Sequence, residues 1–248
     1  MNISIIIPVY NEPDENIKEI HQRINNICLQ NKYDYEILFV DDGSNNGVID
    51  ALKMLRQKDR RIKVISFDKN YGQINAVWAG FCYAQGEVLI TMDCDLQYHP
   101  EEIPSFIEKI KEGFDVIGGK RPKQKIRFFS KVLTKYFNVL LKIKMQDHGC
   151  VFCALKKTIV EKMIDAGFTY NIKALALSNA KRPVEIDVLY SKRKTGVSAY
   201  SVGKYLRYGI NYVLSSLKKH SGQWDKSFNI QYLLTDEKCN EDQNSAIK

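Results

Sequence analysis

Asp93 and Asp95 are separated by one residue and directly follow the apolar run Val88-Leu89-Ile90, with a polar Gln97 two positions on. Two carboxylates this close repel, and each favours protonation of the other unless a cation or positive group lies between them. Such a pair is either solvated at a strand end or holds a metal ion. Hard divalent cations, Mg2+ or Mn2+, take oxygen ligands of this kind and can bridge carboxylates to phosphates. A second acidic pair, Asp41-Asp42, opens "DDGS". It can accept hydrogen bonds from a ribose hydroxyl or a base N–H, or it can close a turn and cap the following helix.

The elements that must carry these residues are legible from periodicity. Apolar runs rich in Ile and Val at 3–9, 35–40, 62–67, 86–91 and 114–118 read as strands. Helical periodicity fills the intervals at about 14–30, 47–58, 73–84 and 100–112. This alternation predicts an α/β fold with a mostly parallel central sheet and helices on both faces. Ligands of such sheets bind at the carboxyl ends of the strands, and four strands here end in polar clusters: "PVYNEPD", "DDGSNNG", "DKNYGQ" and "DCDLQ".

Composition narrows the classes. At 248 residues, 44% hydrophobic and 27% charged, the chain is an ordinary globular one, and no apolar run approaches the roughly 18 residues that span a bilayer. "MNISIIIPVY" lacks a basic n-region and a cleavage site and reads as a first strand, so a cytoplasmic protein is expected. Residues 1–119 carry 12 Lys+Arg and 19 Asp+Glu, whereas residues 120–248 carry 25 and 10. That asymmetry fits metal binding in the first half and anion handling in the second. The stretch 120–145 holds nine Lys+Arg and no acid, and from Ile126 it reads as a helix with Phe129, Leu133, Tyr136, Leu140 and Ile143 on one side. A basic amphipathic helix can lie in the headgroup layer of a membrane or cover the sheet with a solvated face. No stacking platform or module of a nucleic-acid binder is present there, and no nucleic-acid partner is expected. Cys150 and Cys153 form a CxxC with no second pair. Three apart on a strand, they point to opposite faces and are expected to be core residues.

Taken together, "SIIIPVYNE", "ILFVDDGS", "ISFDKNYGQ", "GEVLITMDCDLQYHPEEIP", "DVIGGKR" and "DHGCVFCALKK" resemble family 2 glycosyltransferases of the GT-A, Rossmann-like fold. Their order most resembles the branch that includes dolichyl-phosphate mannosyltransferase and undecaprenyl-phosphate sugar transferases. The resemblance runs from residue 3 to about 217. It implies one domain over 1–217, with a nucleotide-sugar and metal half at 1–119 and an acceptor-side extension at 120–217. Residues 218–248 are expected to be a polar tail. It further implies that Asp93, Asp95 and Gln97 hold the metal, and that Pro8, Tyr10, Glu12, Asp41, Asp42, Gly72 and Gln73 surround the nucleotide. Arg121, Arg127 and Ser130 match the acceptor-phosphate site, and Arg193 matches a loop closing over the donor diphosphate. In that loop "RKTGVSA" has Ala199 where many relatives carry lysine, leaving Lys192 and Lys194 as nearby cations.

The implied reaction is inverting transfer of a sugar from a nucleotide-sugar donor to a polyprenyl phosphate, with peripheral membrane contact through 120–145. The same donor chemistry with a glycan or other hydroxyl acceptor is the alternative, and a non-catalytic binding protein on this scaffold is a third. A phosphate acceptor is already anionic near neutral pH and needs positioning more than deprotonation, a task suited to the planar fork of arginine. Asp147, opening "DHGC", is the candidate base if one is needed; otherwise it caps the entry to the next strand.

Overall fold

The computed structural model of the protein describes residues 1–123, 128–167, 172–191 and 230–234. Strands β1 (Asn2–Val9), β2 (Asp34–Asp41), β3 (Ile62–Phe67), β4 (Val88–Thr91) and β5 (Val116–Lys120) lie where the Ile- and Val-rich runs predict them. Helices α1 (Asp14–Gln30), α2 (Val48–Lys58), α3 (Gln73–Tyr83) and α4 (Ile103–Lys111) fill the intervals, the last preceded by a 3-10 turn at Pro100–Glu102. The chain continues through α5 (Phe128–Leu141), β6 (Cys153–Lys156), α6 (Lys157–Ala166), α7 (Ile172–Asn179) and β7 (Pro183–Asp187), and the last described strand is β8 (Ile230–Leu234).

All eight strands form one sheet in the order β7-β5-β6-β4-β1-β2-β3-β8. The central β4-β1-β2-β3 block is parallel, and antiparallel pairing enters only through β6 and β8. β1 is apolar at nearly every position because the sheet is covered on both faces. Ile3, Ile5, Ile7 and Val9 pack on one side with Ile17, Ile20 and Ile24 of α1. Ile6 faces the other side, with Trp78 and Ala79 of α3. The i, i+3, i+7 spacing of those α1 isoleucines is what aims them at the sheet, and each is worth about 1.5–3 kcal/mol when fully buried.

Cys150 and Cys153 are free thiols in the cores on opposite faces of the sheet, the expected core placement, although the strand begins only at Cys153. Two expectations are revised. In α5 the covered side carries Thr134 and Phe137, while Leu140 is 45% exposed. The cause is polar: Thr134 Oγ1 accepts the His148 N–H at 3.3 Å, and Asn138 exchanges two bonds with the Met145 backbone. These bonds, rather than apolar periodicity, set the rotation of the helix. Secondly, the segment expected to be a polar tail beyond 218 supplies β8, which pairs antiparallel with β3 from Val64↔Leu234 to Phe67↔Ile230. The backbone groups of β3 that face away from β2 thereby find partners.

Candidate functional site

The carboxyl ends of β1, β2 and β4 meet along one edge of the sheet. At the end of β2, Asp41 and Asp42 are both 2% exposed. Asp41 accepts the Ser44 N–H at 3.0 Å and the Ser66 hydroxyl at 2.8 Å. Asp42 accepts the N–H groups of Tyr71 and Gly72 at 2.7 and 2.8 Å and the Asn70 amide at 2.9 Å. Burial pushes the Asp42 carboxyl up to about 7, against those backbone bonds. Between these loops Gly43 has φ 68°, and a Cβ there would fall 2.1 Å from the carbonyl carbon of Lys69. Only glycine lets the two loops touch. Sequence spacing leaves the turn and ligand roles of these aspartates open; the geometry displays the turn role directly, since both carboxylates fasten loops.

The end of β1 and the loop after it bring Pro8, Tyr10 and Glu12 to the same edge. Tyr10 is 42% exposed, offering a ring face at the mouth of the edge. Asn11 at φ 52° donates its N–H to Ser44 Oγ at 2.8 Å and accepts from the Asn45 N–H at 2.9 Å. Glu12 accepts the Asn16 amide at 3.0 Å.

After β4 the chain turns through Asp93-Cys94-Asp95-Leu96-Gln97. Gln73, the first residue of α3, donates its side-chain amide to Asp93 Oδ1, joining the loops that follow β3 and β4. Asp95, 3% exposed, accepts the Gln97 N–H at 3.1 Å. Leu96 adopts φ 60°, a left-handed conformation that a branched side chain rarely takes. The buried Cys94 thiol is pushed far up, by burial first and then by the charges of Glu12, Asp95 and Asp93.

As a donor set, two carboxylates and the Gln97 amide oxygen suit a hard divalent cation. Among the described residues no group of three His, Cys, Asp or Glu is gathered around one point. A cation held here takes the rest of its coordination from other oxygens.

Residues 189–191 are stitched to this loop. Gln97 Nε2 donates to the Ser191 carbonyl at 3.1 Å, and the Ser191 N–H returns a bond to the Gln97 carbonyl at 2.9 Å. His99 Nε2 meets Ser191 Oγ at 2.8 Å, and the Leu189 N–H reaches Glu102 at 3.0 Å. Tyr190 packs edge-on to Tyr98 with ring centroids 5.1 Å apart, and the Arg121 guanidinium lies 5.7 Å from its ring centre. The Tyr190 hydroxyl is shifted upward, by burial first, with the Arg121 charge opposing the shift and the Asp95 and Asp93 charges adding to it.

Arg121 binds Asp147 through two points, Nε to Oδ2 at 2.7 Å and Nη2 to Oδ1 at 2.8 Å. Asp147 is 0% exposed and also accepts the N–H groups of Arg121 and Gly149, both at 3.2 Å. Burial works against its charged form, yet the Arg121 bonds and the nearby Lys173 outweigh burial and hold the carboxyl below its ordinary range. Lys173 Nζ caps the Asp147 carbonyl at 2.6 Å. A base needs an available lone pair and a pKa near the working pH; this carboxylate is built as an anchor. His148 is buried and neutral at ordinary pH, its pKa pushed down to about 4 by burial and then by Lys173.

Ser130, in the first turn of α5, reaches the same place as Arg121: both contact the space beside Gly149. Arg127 and Arg193 lie outside the described residues. Sequence reasoning passed over Tyr190 and Gly149. Tyr190 closes an apolar run and reads as a strand residue, and Gly149 shows only as the third letter of "DHGC".

Among curated proteins, the undecaprenyl-phosphate 4-deoxy-4-formamido-L-arabinose transferase of Proteus mirabilis (strain HI4320) is 35% identical over 213 residues, covering 82% of this chain and 64% of the relative. That of Erwinia tasmaniensis (strain DSM 17950 / CFBP 7177 / CIP 109463 / NCPPB 4357 / Et1/99) is 37% identical over 206 residues, covering 81% and 63%. The chain thus spans less than two thirds of the length of these relatives. Among solved structures, mannosyl-3-phosphoglycerate synthase from Rubrobacter xylanophilus superposes with a TM-score of 0.64 at 13% identity, covering 94% of this chain and 86% of that one. Glucosyl-3-phosphoglycerate synthase from Mycobacterium tuberculosis, in complex with Mn2+, UDP-glucose and phosphoglyceric acid, gives 0.62 at 12% identity, covering 94% and 89%. These likenesses establish the GT-A architecture of the sheet. The family model for Glycosyl transferase family 2 matches residues 4–165, from β1 into α6, and with every strand-end cluster of that span gathered on one edge, the chain belongs to glycosyl transferase family 2.

Proposed function

We propose that this protein transfers a glycosyl group, with inversion, from a nucleotide sugar to the phosphate of a polyprenyl phosphate. The observation that carries the reading is Tyr190: it packs on Tyr98, next to Ser191, which is bonded to Gln97 of the Asp93/Asp95 loop, and the Arg121 guanidinium lies 5.7 Å from its ring centre. An acidic metal-type edge and an anion-binding arginine thereby share one boundary, as displacement of a nucleoside diphosphate by a phosphate oxygen requires. The printed names of the bacterial relatives, undecaprenyl-phosphate sugar transferases, support the same acceptor class.

In this reading Asp93, Asp95 and Gln97 would hold a divalent cation, which would supply charge neutralisation for the leaving diphosphate. Mn2+ beside UDP-glucose in the mycobacterial synthase supports that assignment. Tyr10, Glu12 and the Asp41, Asp42, Gly72 and Gln73 loops frame the nucleotide, with Pro8 shaping the entry and Arg193 reaching the diphosphate. Arg121, Ser130 and Arg127 position the acceptor phosphate, which attacks the anomeric carbon without a protein base. Asp147 is a positioning residue that fixes the Arg121 fork. The bond from the anomeric carbon to the diphosphate oxygen breaks as an oxygen of the acceptor phosphate bonds that carbon on the opposite face, and the electron pair leaves with the nucleoside diphosphate.

Contact with the membrane is assigned to α5. Phe128 is 81% and Val139 75% exposed, Val132 lies between them, and Lys131 and Lys135 flank the stripe. Exposed apolar side chains bordered by lysines suit the headgroup layer of an anionic bilayer. No helix among the described residues is long and apolar enough to cross one.

The test is nucleoside diphosphate release from a panel of UDP-, GDP- and dTDP-sugars with Mn2+, with and without a short-chain polyprenyl phosphate. Lipid-dependent turnover with one donor is expected. Donor hydrolysis indifferent to the lipid would move the acceptor to a glycan, and a folded protein that binds no donor would favour the non-catalytic scaffold.

A further inference from the structure

Gly149 has no backbone reason to be glycine. It is absent from the positive-φ positions, which among glycines are 43, 47, 72, 113 and 167. Space supplies the reason instead. A Cβ at 149 would fall 2.7 Å from Ser130 Oγ and 3.0 Å from Arg121 Nη2, with Asp147 Oδ1 at 3.6 Å. The position is exposed, so the gap opens outward rather than into the core. Two donors of the kind that bind phosphate, an arginine fork and a hydroxyl in the first turn of a 14-residue helix, therefore converge on a spot that is kept clear only by a missing methyl group. The arginine and the turn do not yield easily, so the Ser130 hydroxyl is the wall that moves. Arg121 Nη2 is fixed by its 2.8 Å bond to Asp147, and the turn itself is tied to the same carboxylate through the Gly149 N–H.

The geometry points to Gly149 as the floor of the acceptor-phosphate seat, a residue that determines specificity by lacking a side chain. The seat takes a phosphate monoester, with Arg121 Nη2 and Ser130 Oγ as donors and Gly149 as the surface the phosphate rests on. This rests on the phosphate-acceptor reading above and adds to it the residue that sets the space. A methyl group at 149 pushes the Ser130 hydroxyl off its position and crowds Arg121, so it weakens the acceptor and leaves the nucleotide edge alone.

The experiment compares wild type, Gly149→Ala, Ser130→Ala and the double variant. It measures KM for a short-chain polyprenyl phosphate, affinity for the nucleoside diphosphate that the donor panel selects, and Tm. Gly149→Ala is expected to raise the acceptor KM by about ten- to hundredfold, the scale of a lost hydrogen bond to a charged group, with nucleotide affinity and Tm held. Because both changes act on one hydroxyl, the double variant should resemble Ser130→Ala rather than the product of the two losses. An unchanged acceptor KM in Gly149→Ala, or losses that multiply in the double variant, overturns the inference while leaving lipid phosphate as the acceptor. If Gly149→Ala does not fold, Ser130→Ala carries the test from the other wall, and an unchanged KM there overturns it equally. If wild type ignores the lipid but uses glycerol phosphate in a manner sensitive to Gly149→Ala, the seat stands and the lipid reading falls. Use of neither phosphate overturns both.

Discussion

Arg121 and Asp147, 26 residues apart in the chain, face each other as a two-point ion pair with both contacts under 3 Å and the carboxylate wholly buried. Removing one partner strands a buried charge, which costs about 3–5 kcal/mol. Arg121→Ala should therefore lower stability by that order, visible as a drop in the urea midpoint. Asp147→Asn separates anchor from base. As an anchor it raises the acceptor KM and leaves the pH profile of kcat in place. Loss of a limb from that profile would make Asp147 the base.

Asp93 and Asp95 face the same edge as Glu12, and their mutual repulsion is relieved only by positive charge. Asp95→Ala is expected to lower turnover about a thousandfold, the scale of several kcal/mol of lost charge stabilisation. Its Tm should be equal to or above that of wild type. Chelation of divalent ions should reproduce the loss in wild type, and readdition of Mn2+ should restore wild type alone.

His148 gives stability a pH dependence. Its ordinary pKa is 6.5, and in the folded protein it is pushed down to about 4 by burial, with Lys173 adding to the shift and Asp147 opposing it. Between those values the unfolded chain binds a proton that the native imidazole refuses. Stability attributable to His148 is therefore full above about pH 6.5 and declines as pH falls toward 4, by up to about 3 kcal/mol. Urea midpoints of wild type and His148→Gln at pH 7.5, 5.5 and 4.5 should converge toward the acid end. Parallel curves would remove His148 as the source.

Tyr190 holds Arg121 through its ring face, a contact worth roughly 1 kcal/mol. Tyr190→Phe keeps the ring and should stay close to wild type in acceptor KM. Tyr190→Ala should raise that KM about fivefold. Equal behaviour of the two variants would assign the effect to the hydroxyl.

The exposed stripe of α5 predicts a separable membrane phenotype. Phe128→Glu with Val139→Glu places charge on two of the most exposed apolar side chains. Flotation with anionic liposomes should fall strongly, because each glutamate removes apolar contact and adds repulsion. Tm should be unaffected, since neither side chain is covered.

The sequence by itself determined the layered sheet, since β1 to β5 are continuous Ile- and Val-rich runs and the helices between them carry the 3.6-residue period. It determined as well which strands end in chemistry, because a carboxylate at the end of a parallel strand has one edge to occupy. Asp93 and Asp95 were legible there as strand-end carboxylates, whereas Glu12 and Gln73 were singled out by the resemblance alone. The tertiary structure alone decided what depends on pairs distant in the chain. That Asp147 is clamped by Arg121, that Tyr190 meets both Tyr98 and that arginine, and that Gly149 leaves room for Ser130 are all contacts across 19 to 92 residues. No local period encodes them. The rotation of α5 belongs to the same class, because Thr134 and Asn138 bind the turn at 145–148 and overrule the apolar periodicity of the helix. Local patterns fix which way a side chain leaves the backbone, and only the packed fold fixes what it meets.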